Sequence, residues 1–492
     1  MAVQPSTQTL QQIAEAGVAV PDYDRSGVTT GIVHIGVGGF FRAHQAMYLD
    51  RLLNQGEALD FGICGVAALP HDRRIFDAMT SQDCLYTLVL KHPDGRLEPR
   101  LIGSMTQMLF APDDPSAVVA RMADPATRIV SLTITEGGYP VDQVTGKFQA
   151  DHPSIQADLV PGATPRTAFG FIVAALAARR VAGVNPFTVQ SCDNLPGNGD
   201  VARSTLVSFA RLIDSDLADW IERTVAFPNA MVDRITPMTT DDDRALLLET
   251  FGVDDAWPVF CEPFTQWVIE DHFPAGRPRW EDVGAQMVDD VLPYELMKLR
   301  LLNASHQAFA YLGHLDGHRY AHEVCQQPIY RDFLLRYMER EATPTLPEVP
   351  GVDLDAYRHE LVDRFASPAV RDTLARLATE TSDRIPKFLV PVIRANVLSG
   401  GEIEASALVV ASWARYAEGT DEQGEPIEVV DNDRDRVMAA AAASKDDPLE
   451  FLRMRDYFGD LVDDPRFVEA YTRHLSSLRT TGARATLEAF MA

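Results

Sequence analysis

The segment GIVHIGVGGFFRAHQ, residues 31–45, decides the fold. Its apolar opening, GIVHI, reads as a buried strand, glycines follow at 36, 38 and 39, and a helical pattern starts directly after them. Strand, glycine turn and helix in that order open a dinucleotide-binding unit, because missing side chains let backbone amides approach a pyrophosphate at a helix N-terminus. Phe41 stands where the usual fingerprint has its third glycine, so on spacing alone the match is partial.

Further runs of the same kind lie at FGICGVA (61–67), RIVSLTIT (128–135) and FTVQS (187–191), with an Ala-rich helical stretch over 168–182 between the last two. Strands separated by such helices imply right-handed crossovers and a mainly parallel sheet. The HPDG turn at 92–95, between CLYTLVLK and RLEPRLIGS, predicts an antiparallel hairpin added to that sheet. From about residue 291 strand-like runs nearly vanish, and amphipathic segments follow at 294–314, 330–341, 405–417 and 466–478. The expected fold is an α/β Rossmann-type N-terminal domain with added strands (1–288), followed by a mostly α-helical C-terminal domain (289–492). The polar stretch 270–283, with Pro274, Gly276 and Pro278, is the expected boundary zone.

Lys and Arg number 44 against 71 Asp and Glu, a net charge of -27 that argues against nucleic acid and anionic membranes as partners. The five cysteines are scattered and lack CxxC spacing, so neither a disulfide framework nor a zinc knot is expected. No HExxH motif or Cys/His cluster offers catalytic-zinc spacing, and no metal is expected. With no secretory signal pattern and no bilayer-length apolar run, the expected compartment is the cytoplasm.

Asp72 follows the second strand, where a carboxylate accepts both ribose hydroxyls of adenosine and repels a 2'-phosphate, favouring NAD over NADP. Arg73 and Arg74 offset part of that repulsion, and the alternative reading of DRR is a solvated helix start.

The candidate catalytic residues concentrate in YELMKLRLLNASHQAFAYLG, residues 294–313, read as one helix. At α-helical pitch Asn303 and His306 lie about 140 and 80 degrees round from Lys298, and Leu302 and Phe309 share the arc. A lysine buried there has its charged form disfavoured and becomes a base for an alcohol proton. The competing reading is a snorkelling lysine with Asn303 bonded locally and His306 satisfied in a core. In SCDNLPGNGD (191–200), Asn194 falls at the carboxyl end of a strand, where open α/β sheets present ligands. Asn194 and Asn303 are expected to stabilise jointly the oxygen that gains charge when hydride leaves the carbinol. An Asn in a Pro/Gly turn is the plain alternative for Asn194.

The strings HIGVGGFFRAHQ, SLTITEGGY, SCDNLPGNG, FPNAMVDRITPMT, DDAWPVFCEPFTQW, MKLRLLNASH and SDRIPKF together resemble the polyol-specific long-chain dehydrogenases over nearly the whole chain. The resemblance implies zinc-independent, NAD-dependent interconversion of a sugar alcohol such as mannitol and its 2-keto sugar, with Lys298 as general base and acid. It implies an oxyanion hole from Asn194 and Asn303, and hydroxyl binding by His306. Polyol contacts fall to Asp233, Arg376 and Arg384, the last replacing a lysine of close relatives. Gly36, Gly38, Gly39, Phe40 and Arg42 match the family's nucleotide loop, and Asp72 a carboxylate tied to NAD preference. His71 replaces an acidic residue, which leaves room for some NADP use.

Within the family, arabinitol oxidation and hexuronate reduction are the alternatives; Arg376, Arg384 and Lys387 offer cations for a sugar acid. Outside it stands an NAD-sensing protein without turnover. The expected partner is a small polyol or ketose, and the expected state a monomer or weak homo-oligomer.

Overall fold

The computed structural model of the chain describes residues 2–141, 147–160 and 162–492. It divides into two compact units, Met1–Val291 and Leu292–Ala492.

The first unit contains β1 (Thr30–Ile35), β2 (Gly62–Ala67), β3 (Tyr86–Lys91), β4 (Leu97–Ile102), β5 (Met105–Phe110), β6 (Ile129–Leu132) and β7 (Thr188–Ser191). Five of them form a parallel sheet in the order β5-β2-β1-β6-β7. The chain order therefore reverses at β1, which has β2 on one side and β6 on the other, and open sheets bind ligands at the carboxyl ends beside such a reversal. Alternate residues feed two cores: Val33, Ile35, Val66 and Val130 on one face, Ile32, Ile63 and Ile129 on the other. Both faces are covered, which is why these strands read as unbroken apolar runs rather than alternating ones.

The crossover helix between β6 and β7 spans Ala168–Ala182, as its composition predicts. The Thr167 hydroxyl accepts from the Gly170 amide, and Gly183 ends the helix at φ 69°, a left-handed conformation that favours glycine.

The hairpin forms, with β3 and β4 paired antiparallel, but it does not join the five-stranded sheet. Its partner is β9 (Val259–Cys261), parallel to β3 and met after β8 (Ala230–Asp233) in the chain. A third sheet joins β8 to β10 (Gln266–Glu270) and β11 (Gln286–Val288). The expected boundary stretch 270–283 thus lies inside the first unit. Arg277 explains its order, pairing with Asp271 at 2.7 Å and Glu281 at 2.6 Å.

The second unit is helical. It opens with the α-helix Leu292–Met297, continues as a π-helical turn over Lys298–Asn303, and returns to α-helix over Ala304–Leu315. The expectation of one uninterrupted α-helix over 294–313 is corrected here: the amide of Ala304 donates to the carbonyl of Leu299, an i to i+5 bond that widens the turn. Helices Glu404–Tyr416 and Pro465–Met491 pack against Ala304–Leu315, leaving its Ala308, Phe309, Ala310 and Leu312 without exposure. No helix among the described residues is long and apolar enough to cross a membrane.

Candidate active site

In the first unit the glycine loop leaves β1 at its carboxyl end. Gly36 has φ 97°, and a Cβ there would come within 2.1 Å of the Thr133 carbonyl oxygen, so only glycine fits. Gly38 faces open space on the side where a Cβ would stand, and Gly39 has room at 3.7 Å. That open cradle suits the close approach of a pyrophosphate.

His34, which the sequence reading left without a role, locks this loop. Its ring is fully buried and stacked on Phe41 at 3.5 Å between centroids. Nε2 lies 3.1 Å from the Gly36 carbonyl; a carbonyl only accepts, so Nε2 carries the proton and Nδ1 accepts from the Ser131 hydroxyl at 2.8 Å. The Thr133 hydroxyl also donates to the Gly36 carbonyl, at 2.7 Å. Burial pushes the His34 pKa down to about 3, with the bond to Gly36 opposing, so the ring stays neutral.

Arg42 departs from expectation. Rather than reaching toward a phosphate, it is 2% exposed, donates to the Trp257 carbonyl and lies 5.1 Å over the Tyr86 ring. Its charge is spent in holding the loop to β9's approach segment. Phe40 stacks on His44 at 4.9 Å and serves the same packing.

Asp72 ends a short turn, Pro70–Asp72, with its side chain 26% exposed. One carboxylate oxygen accepts from the Leu69 amide at 2.9 Å, while the other lies 3.6 Å from His71 Nε2. Arg73 is drawn away, paired with Asp113 at 2.6 Å over the Phe110 ring, whereas Arg74 is exposed.

Asn194 is exposed just beyond β7. The turn that carries it is held from beneath by residues the sequence reading passed over. Buried Asp193 accepts from the Thr135 amide and the Tyr139 hydroxyl, both at 2.7 Å, and Asn198 bridges the Asp193 carbonyl (3.0 Å) to the Ala230 carbonyl (2.7 Å). β6 ends at Leu132, short of the expected residue 135, and Thr135 beyond it adopts φ 60°, unusual for a β-branched residue. Asp233 is buried, 5% exposed, at the end of β8.

In the second unit Lys298 and Asn303 are 8% and 7% exposed. His306, one turn on, is half-buried between Phe365 (4.8 Å) and the edge of Phe309 (5.9 Å). Its pKa is held well below 6.5, first by loss of water and then by the charges of Arg376, Arg384, Arg364 and Lys298. The structure therefore gathers Lys298, His306, Arg376 and Arg384 in one neighbourhood and adds Arg364, a buried residue of the helix Leu354–Phe365 that no local pattern marks. Arg376 is exposed and Arg384 half-buried; Arg384 donates to the Leu377 carbonyl at 2.9 Å. A buried amine, a carboxamide and a neutral imidazole are groups that can take a proton from a hydroxyl and hold its neighbours by hydrogen bonds. Among the described residues no group of three His, Cys, Asp or Glu is placed to hold a metal ion.

Residues 30–282 match the mannitol dehydrogenase Rossmann domain, and residues 290–479 match the mannitol dehydrogenase C-terminal domain. A mannitol 2-dehydrogenase of Neosartorya fischeri is 46% identical over 496 residues, covering 99% of each chain. One from Pyricularia oryzae is 45% identical over 500 residues, covering 100% of this chain and 99% of the relative. Among solved structures, the Pseudomonas fluorescens mannitol 2-dehydrogenase in ternary complex with NAD and D-mannitol superposes with TM-score 0.90 at 46% identity, covering 99% of both chains. A D-sorbitol dehydrogenase in substrate-free form gives TM-score 0.89 at 35% identity, covering 98% of this chain and 100% of that one.

Proposed function

The chain belongs to the mannitol dehydrogenase family, and from that premise we propose that it oxidises D-mannitol to D-fructose with NAD and runs the reverse reduction without a metal. The observation that carries this reading is Lys298, 8% exposed on the π turn beside His306 and preceding Asn303.

When bound, NAD supplies the acceptor for the hydride that leaves the carbinol carbon. Gly36, Gly38 and Gly39 would hold its pyrophosphate, and Asp72 its adenosine ribose. Lys298, buried at the start of the π turn, takes the hydroxyl proton. In the reverse direction the same amine returns the proton. Asn303 donates to the oxygen as charge builds on it, the role that the family resemblance also gives Asn194. His306, kept neutral by its surroundings, can both donate to and accept from polyol hydroxyls. Asp233, Arg376 and Arg384 are assigned to the rest of the polyol chain, and the protein acts in the cytoplasm.

Initial rates with D-mannitol, D-sorbitol and D-arabinitol, each with NAD and with NADP, test the proposal. The expected result is highest kcat/KM for mannitol with NAD. Preference for arabinitol, or no NADH formed from any polyol, would overturn it.

A further inference from the structure

Arg376, Arg384 and Lys387 could attract a carboxylate, yet each already has a partner. Arg376 grips Asp372 with two bonds, Nε to Oδ1 at 2.6 Å and Nη2 to Oδ2. Lys387 pairs with Asp383 at 2.6 Å. Arg384 donates to the Leu377 carbonyl at 2.9 Å.

The Asp372–Arg376 pair is built on a fixed frame. The Ala321 amide donates to the Asp372 carbonyl at 2.9 Å, the Leu374 amide to the Arg319 carbonyl at 3.0 Å, and Thr373 bridges to Tyr320. The Thr373 hydroxyl then accepts from the Arg376 amide at 3.3 Å, so backbone and side chain of Arg376 are held by the adjacent residues Thr373 and Asp372. Asp372 itself is 10% exposed and cannot swing into solvent without breaking this bridge.

We propose that Asp372 is a specificity-determining residue that turns Arg376 toward neutral polyols and against sugar acids; the proposal rests on the mannitol reading above. The fork is the guanidinium's best edge for a carboxylate, and Asp372 occupies it. It also offsets the charge of Arg376, and a second carboxylate brought to the remaining edge would meet a like charge close by. Nη1 remains able to donate to a hydroxyl, which carries no charge and suffers no such repulsion. A ketose and its uronate differ only at the terminal carbon, so this one interaction is enough to separate them.

The test compares NADH-dependent reduction of D-fructose and D-fructuronate by the wild type and by Asp372→Asn, Asp372→Glu and the double variant Asp372→Asn/Arg376→Ala. Asp372→Asn should raise the uronate-to-fructose ratio of kcat/KM about tenfold or more, the scale of one charged hydrogen bond. Asp372→Glu should keep the wild-type ratio, and removing Arg376 should cancel the gain. A ratio unmoved in Asp372→Asn, or a gain that survives loss of Arg376, overturns the inference while leaving the mannitol reading in place. A wild type that prefers fructuronate overturns both. Because the readout is a ratio within one variant, partial loss of folded protein does not alter it.

Discussion

Lys298 and Asn303 stand at the two ends of one π-helical turn, closed by the bond from the Ala304 amide to the Leu299 carbonyl. In an α-helix residues five apart point about 140 degrees away from each other. The i to i+5 closure changes the angle between these two side chains from that α-helical value.

That pairing predicts the phenotype of the carboxamides. Asn303→Ala should lower kcat by about 100-fold, the usual loss for one oxyanion donor, while NAD affinity stays near wild type. Asn194→Ala should behave alike. Steady-state kinetics with NAD titration by fluorescence reads both quantities, and near-normal turnover with altered NAD affinity would reverse the assignment.

Acid should weaken the fold through its neutral histidines. His34 has a folded pKa of about 3 against 6.5 when exposed, and His306 is likewise lowered by burial and by neighbouring cations. A lowered folded value means that the unfolded chain binds the proton first, so stability is fully present above 6.5 and is lost as pH falls toward the folded value. The Tm should drop through that window, and His34→Gln should shrink the drop. A Tm that rises on acidification would contradict the burial argument.

Two glycines separate folding from binding. Gly36→Ala forces a side chain into a left-handed position against the Thr133 backbone and should cost at least about 2 kcal/mol of stability. Gly38→Ala meets no protein atom within 4 Å. It should leave Tm near wild type while weakening NAD binding, because its methyl group enters the phosphate cradle. Equal effects on both properties at Gly38 would move the nucleotide elsewhere.

Cofactor preference should follow Asp72. With Arg73 committed to Asp113 and Arg74 exposed, Asp72→Ser should raise the NADP-to-NAD ratio of kcat/KM about tenfold or more. An unchanged ratio would remove Asp72 from the ribose site.

What could be read in advance was local. The strand at 30–35, its glycines and the capped helix Ala168–Ala182 are written in neighbouring residues, each with a steric or capping reason. The hairpin was equally legible, but its sheet was not, since β3 chooses Val259–Cys261 as partner far along the chain. Resemblance alone places Arg42 in the nucleotide loop; only the fold shows that its guanidinium donates to the Trp257 carbonyl. The π turn escaped for a different reason: apolar spacing over 294–313 fits α-helical pitch well enough to hide one added residue. The support given by His34, Asp193 and Arg364 depends on residues brought together by the fold, and no motif announces it.

The central claim is that the buried amine of Lys298 moves the proton. Turnover of Lys298→Ala with mannitol and NAD, measured across pH beside its NAD affinity, tests this directly. The account predicts kcat lower by at least about 100-fold, NAD affinity retained, and disappearance of the acid-side fall in rate that protonation of the base produces. A variant that oxidises mannitol at near wild-type rate, with that acid-side fall intact, would contradict it.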